Sequence, residues 1–277
     1  LGLSIIAAPV LTGRVLSSLL FGVFLLLIFW RLALVLMGIA LRSLCASDSP
    51  RTRPQDAAPV YSILIPAYRE TEVMPQIADA LHQLEWPSDR LDIVVLLEAD
   101  DPETIAAAHA ANFPIGTRIY CVPAGGPRTK PNALNYGLAR ARGAYVTVYD
   151  AEDIPHPAQL AWAHARFQTV DESVVCLQAP LIADNARRGW LASQWNLEYA
   201  VQFGLLLPSL SLYRMPLLIG GTSNHFRKDA LLALGGWDAW NVTEDADLGM
   251  RIARAGLRCS VIAAPTYEEA PTSLGAW

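Results

Sequence analysis

The chain has 277 residues, 53% of them hydrophobic and only 17% charged, where an ordinary soluble domain is about a quarter charged. Its 21 basic and 26 acidic residues give a net charge of −5. This composition excludes a disordered chain and a nucleic-acid binder with a basic face, and the length suits one large domain or two small ones. Cys45, Cys121, Cys176 and Cys259 form no CxxC pair, which suits a reducing compartment. The first residue is Leu1 rather than Met, and a piece of a longer protein is expected.

In chain order, the first feature is the apolar run from Val15 to Leu41, interrupted by Arg31. It exceeds the ~20 residues needed to cross a bilayer core and the roughly 7–15 of a secretory signal. A transmembrane helix is therefore expected over about 15–41, inside a membrane region 1–45, with Leu1–Leu11 as the tail of an earlier helix. Arg31 is read as facing another helix or snorkelling to the headgroups. Arg14 precedes the run, whereas Arg42, Arg51 and Arg53 follow it, so the rest of the chain is expected on the cytoplasmic side of an inner (plasma) membrane. The polar, Pro-containing stretch 46–59 reads as a linker.

Strand and helix patterns then alternate. Tyr61–Ile65 is an apolar run stopped by Pro66, and Thr71–Leu84 reads as a helix. Leu91–Leu97 is a strand buried on both faces, followed by helix Pro102–Asn112, strand Arg118–Val122 and helix Asn132–Arg142. Strand Ala144–Tyr149, helix Pro157–Thr169 and strand Ser173–Gln178 complete the alternation. This predicts an α/β domain over 60–277, a mainly parallel sheet with helices on both faces.

In open α/β sheets the ligand sits outside the carboxyl ends of the strands. Three such ends here carry carboxylates: Glu70 after the first strand, Glu98, Asp100 and Asp101 after the second, and Asp150, Glu152 and Asp153 after the fourth. Carboxylates this close repel, and a divalent cation relieves the repulsion. Hard oxygen ligands suit Mg2+ or Mn2+, so Asp150–Asp153 reads as a metal–diphosphate site or, failing that, a solvated acidic turn. A second cluster, Thr243-Glu244-Asp245-Ala246-Asp247, precedes an expected helix Leu248–Ala255. Three carboxylates exceed what capping needs, and one could serve as general base toward a hydroxyl. Lys130, in a basic loop after Gly125-Gly126, suits an anionic ligand. Gly220–Arg227 could line an acceptor site. His225 is read as structural, and no zinc spacing, GxGxxG, Walker A or GxSxG motif is present.

In this order, PAYRE (66–70), EADD (98–101), KPNALN (130–135), DAED (150–153), GGTSNHFR (220–227) and TEDADLG (243–249) resemble the family 2 glycosyltransferases, in particular the membrane-bound cellulose-synthase-like branch. The resemblance implies a GT-A nucleotide-sugar-binding fold and an inverting transfer from a nucleotide sugar, UDP-linked by family, to a hydroxyl of a glycan or lipid-linked acceptor. It places Pro66, Tyr68, Glu70, Asp100, Asp101 and Lys130 at the nucleotide and Asp150, Glu152 and Asp153 at Mg2+ or Mn2+. Asp245 becomes the catalytic base with Glu244 beside it, and Gly221, Thr222, Ser223 and Asn224 lie at the acceptor. Cell-envelope or extracellular polysaccharide synthesis is the implied setting, with membrane lipid and further C-terminal transmembrane helices as partners and no nucleic acid. The family's QxxRW motif is absent, and DxD stands here as DxE. The competing reading is a non-catalytic scaffold or envelope component of the phage-adsorption type, against which the retained Asp150, Glu152 and Asp245 argue. The segment 189–207, with Trp190, Trp195, Tyr199 and Phe203, reads as a helix packed on the core or lying at the membrane interface.

Overall fold

The computed structural model describes residues 9–45, 58–123 and 125–275. The expected linker lies outside them through residue 57. Helix α1 spans Pro9–Cys45, longer at both ends than the expected span, and Pro9–Leu11 continue the same helix rather than ending an earlier one. It is long and apolar enough to cross a membrane, and side chains such as Leu19, Phe24 and Phe29 point outward, exposed.

Strands β1 (Tyr61–Ala67), β2 (Leu91–Glu98), β3 (Arg118–Val122) and β4 (Tyr145–Val148) pair in parallel in the order β3-β2-β1-β4. Beyond β4 come β8 (Asn224–Arg227), β6 (Val174–Gln178) and β9 (Arg258–Val261), with β8 the antiparallel member. A small second sheet joins β5 (Ile154–Pro155), β10 (Thr266–Glu268) and β7 (Leu181–Ala183).

The alternation along each strand fixes the two faces. Ile63, Ile65, Ile93, Val95 and Leu97 pack against Met74, Ile77 and Leu81 of α2 (Met74–His82) and Leu160 and Phe167 of α5 (Gln159–Thr169). Leu64, Val94, Leu96, Val146 and Val148 face Leu134 and Leu138 of α4 (Lys130–Leu138), Leu231 of α8 (Lys228–Ala233), and Leu248 and Ile252 of α9 (Glu244–Arg254). His225 is buried, bonded to the Tyr61 hydroxyl at 2.8 Å and Gln159 at 3.1 Å, and burial pushes its pKa down to about 3. It is a neutral core residue, as read.

Two boundaries differ from expectation. Pro66 lies inside β1 rather than ending it. Leu64 offers its carbonyl to Tyr149 on the β4 side, and Pro66 has the same parity, so its missing N–H faces a point where β4 has already ended. The Thr243–Asp247 cluster does not precede its helix but forms its first turn, with Glu244, Asp245 and Asp247 all inside α9. Carboxylates are stabilised there by the helix dipole.

The 189–207 segment forms α6 (Trp190–Val201), a π turn over Gln202–Leu206 and α7 (Leu207–Leu212). The turn packs on α1. A Cβ on Gly38 would stand 2.8 Å from the Leu205 carbonyl oxygen, so only glycine allows this approach. Ser209 donates its hydroxyl to the Leu34 carbonyl at 3.0 Å. Trp190, Leu197 and Leu212 remain exposed nearby. The segment thus buries one side and leaves apolar side chains outward on another.

Candidate active site

The strand order reverses between β1 and β4, and a crevice opens at their carboxyl ends, the position favoured for ligands in open sheets. It is a cleft of about 230 Å³ lined by Pro66, Tyr68, Glu70, Glu98, Arg128, Lys130, Asp150 and Glu152, with Ala67, Thr129 and Ala133. Four chain segments contribute, 66–70, 98, 128–133 and 150–152, and their convergence has local causes. Arg69 adopts a positive φ of 58°, and its N–H is held by Asp101 at 2.5 Å. Asp101 also caps α3 (Pro102–Ala110) by accepting the Thr104 N–H at 3.2 Å. Burial works against this carboxylate, but the Thr104 and Arg69 donors outweigh it and lower its pKa. Asp101 therefore lies buried beneath the Tyr68–Glu70 turn rather than in the cleft, where the resemblance places it. Asp100 pairs with Arg128 at 2.6 Å on the rim.

Lys130 begins α4 and forms an ion pair with Asp150. Burial opposes its charge, but Asp150, Asp153 and Glu244 raise its pKa overall. Asn135 fixes α4 by exchanging two hydrogen bonds with the Trp237 backbone, at 2.7 and 2.9 Å, and Thr129 donates to the Ala239 carbonyl at 2.7 Å. These ties bring the start of α9 beside α4. A Cβ built on Gly221 would stand 3.4 Å from Lys130 Nζ and 3.5 Å from Asp245 Oδ2, so the bare glycine lies between the ammonium and the carboxylate. Asp245 is half-buried, whereas Glu244 is buried, its pKa raised by burial and then by Asp245. Asp247 pairs with Arg251 at 2.6 Å and stabilises the helix.

Four further expected site side chains turn away from the cleft. Asp153 is buried, accepting the Asp150 N–H at 2.7 Å and the Thr222 hydroxyl. Burial and the Asp150 charge push its pKa well up; Oδ2 braces the acidic turn from beneath, and Oδ1 is buried with no hydrogen-bond partner among the described residues. Thr222, Ser223 and Asn224 are buried too. Ser223 meets Thr266 at 2.5 Å, and Asn224 donates to the Gly220 carbonyl at 2.5 Å. These three lead into β8, inside the sheet, and of the expected acceptor residues only Gly221 fronts the site.

Glu70 Oε2 is buried and, among the described residues, has no hydrogen-bond partner. Burial, then the Asp150 and Glu152 charges, push this carboxyl up to about 7. The unfolded chain would ionise near 4.5, so between these values the folded state binds more protons and stability falls as pH rises. Without divalent ions, Glu70→Gln is expected to raise the melting temperature at about pH 8 and leave it unchanged at about pH 4. An equal gain at both would refute the electrostatic origin.

An orphaned carboxylate oxygen beside two further carboxylates fits a hard cation. Among the described residues no three His, Cys, Asp or Glu side chains close on one point. A cation here would take one or two carboxylates and complete its shell with water and phosphate oxygens, which is the habit of Mg2+ and Mn2+. Glu98 and Arg128 also line the cleft, and only the strand-end position and the basic loop hinted at them.

The family model for glycosyltransferase-like family 2 matches residues 58–277. The chain belongs to this family. Probable glycosyltransferase YdaM of Bacillus subtilis (strain 168) is 27% identical over 222 residues, 79% of this chain and 53% of that protein. Cellulose synthase 2 of Novacetimonas hansenii is 26% identical over 229 residues, 78% of this chain but 14% of that protein. The probable glucomannan 4-beta-mannosyltransferase 1 of Arabidopsis thaliana is 28% identical over 208 residues, 73% and 37% of the two chains. This member of the family thus spans about half or less of the length of these relatives. Among solved structures, the mannosyltransferase PcManGT from Pyrobaculum calidifontis, in complex with GDP-Man and Mn2+, superposes with a TM-score of 0.66 at 20% identity, covering 90% of this chain and 68% of that one. The fold is GT-A.

Proposed function

We propose that the cleft transfers a sugar from a nucleotide sugar to a hydroxyl acceptor with inversion at the anomeric carbon. The convergence of Lys130, Asp150 and Asp245 around Gly221 carries this reading. A cation paired with the acidic strand end and a half-buried carboxylate both come within about 3.5 Å of where a Cβ on Gly221 would stand. The β1 turn around Tyr68 would hold the nucleoside, and Lys130 the diphosphate. Asp150 and Glu152 would hold Mg2+ or Mn2+, which when bound neutralises charge growing on the leaving diphosphate. Asp245 takes the acceptor's proton as the new bond forms opposite the departing nucleotide, so no covalent sugar–enzyme intermediate is required. UDP is the proposed nucleotide, and envelope or extracellular polysaccharide the proposed product. The outward apolar side chains of α1 support a membrane anchor, with the site proposed on the cytoplasmic side.

The test offers the protein in membranes a panel of UDP- and GDP-sugars with Mn2+ or Mg2+. Nucleoside diphosphate release from one donor is expected, falling to background with a chelator and returning with added metal. Release that ignores the chelator would overturn the metal assignment. Nucleotide binding without turnover on any donor would instead favour a scaffold.

A further inference from the structure

Apolar packing joins α4 to α9 through Leu134, Leu138, Leu248 and Ile252, but such contact is non-directional and leaves the offset between the two helices open. Hydrogen bonds from one side chain close it. Asn135 stands five residues after Lys130, so the two side chains leave α4 roughly 140° apart. Lys130 lines the cleft, whereas Asn135 turns to the segment that leads into α9. Its Nδ2 donates to the Trp237 carbonyl at 2.7 Å and its Oδ1 accepts the Trp237 N–H at 2.9 Å, across 102 positions of sequence. One amide thus pairs with both backbone groups of one residue, as a neighbouring strand would.

The surroundings are shaped for this contact. Gly236 has a φ of 71°, and a Cβ there would collide with Asn135 Oδ1, so only glycine admits the amide. The Trp237 ring is buried edge-on against Phe226 of β8, with centroids 5.7 Å apart. Arg251 of α9 donates to the Leu234 and Gly236 carbonyls at 2.9 and 2.8 Å, which ties this turn to the helix that carries Asp245. Between Trp237 and Glu244, Asp238 accepts the Trp240 N–H and Asn241 the Thr243 N–H, both at 3.0 Å, and these local turns leave the segment little slack. The turn, the segment and α9 therefore move as one body. Asn135 fastens that body to α4, and Thr129 adds a single bond at the Ala239 carbonyl.

We propose that Asn135 is a positioning residue for the transfer: by holding the Trp237 backbone against α4, it sets the reach from the Asp245 carboxylate to the Lys130 ammonium. This rests on the glycosyl-transfer reading and deepens it. Displacement with inversion needs the incoming oxygen, the anomeric carbon and the departing oxygen in line. The base belongs to α9 and the phosphate-binding cation to α4, so the offset of the two helices is the alignment of the reaction. A misplacement of about 1 Å can cost roughly a hundredfold in rate. Asn135 does not line the cleft and touches no reacting group, so it acts through Asp245.

The test is a double-mutant cycle on nucleoside diphosphate release, with the protein in membranes and the donor and metal that the wild type uses. Asn135→Ala is expected to lower turnover at saturating donor about tenfold or more, with donor KM changed by less than about twofold, because Lys130 and the cleft are untouched. In the Asp245→Asn background the same substitution is expected to cost less than about twofold, since no base is left to misplace. Asn135→Asp keeps an oxygen for the Trp237 N–H and loses only the donation, and it should lose turnover several-fold in the same pattern. A merely structural role would lower the rate by the same factor in both backgrounds, and that additivity would overturn the proposal. Full turnover in Asn135→Ala, or unfolding of both Asn135 variants at the assay temperature, would overturn it as well. An Asp245→Asn protein as active as the wild type, or a wild type that releases no nucleoside diphosphate, would instead sink the transfer reading, and the proposal with it.

Discussion

Asp245→Asn is expected to slow sugar transfer by about 10²–10⁴-fold, the usual contribution of a positioned general base. The melting temperature should not change. Asp245 Oδ1 accepts the Ala246 N–H at 2.7 Å, a bond that an asparagine oxygen can also accept. Oδ2 is the atom nearest Gly221, and in the amide it becomes an NH2 group that cannot take a proton. Donor affinity should hold because Lys130 and Asp150 remain. Asp247→Asn is the internal control: Asp247 pairs with Arg251, so its loss costs stability rather than turnover. Initial rates at saturating donor decide the matter, and full activity in Asp245→Asn would remove the aspartate from the chemistry.

Asp92→Ala is expected to cost about 3–5 kcal/mol, because it removes a buried carboxylate and leaves a half-buried guanidinium without its ion-pair partner. Asp92 Oδ1 accepts two bonds from Arg118, at 2.6 and 3.1 Å. Oδ2 accepts the Ser62 hydroxyl at 2.7 Å and the Arg142 N–H at 2.8 Å. Ser62 in turn accepts the Gly143 N–H at 2.8 Å. One carboxylate thus joins β1, β2, β3 and the approach to β4 at the sheet edge opposite the cleft. For a domain of this size the loss corresponds to a melting temperature lower by about 6–20 °C. Thermal denaturation of the two proteins measures it, and a drop below about 2 °C would show that the network contributes little.

Five of the seven strands of the main sheet were readable from sequence as largely apolar runs, and Arg118–Val122 was placed to the residue, whereas β8, β9 and the small second sheet were not. The crevice was readable as well, since carboxylates at successive strand ends face one opening. What escaped was direction. A polar stretch such as Thr222–Asn224 looks like surface, but its partners Asp153, Thr266 and Gly220 are supplied by the fold, two of them from distant segments. Asp101 looked like a ligand for the same reason: nothing local reveals that Arg69, 32 residues earlier, consumes its carboxylate. Asp92 was a single charge at the head of an apolar strand, meaningful only once Arg118 lies beside it.

The seat of α1 on the π turn bears on how this protein can be handled. A truncation that starts at the first strand would take from Leu205 and the buried Ser209 the helix they pack on and leave a raw apolar seam in water. Phe203, in that same turn, touches the rim of the site at Gly220, so loosening there reaches the chemistry within a few residues. Helix α1 is therefore not a detachable tether. It is one wall of the fold beside the proposed site, and a preparation that keeps the protein dissolved by removing it disturbs that wall.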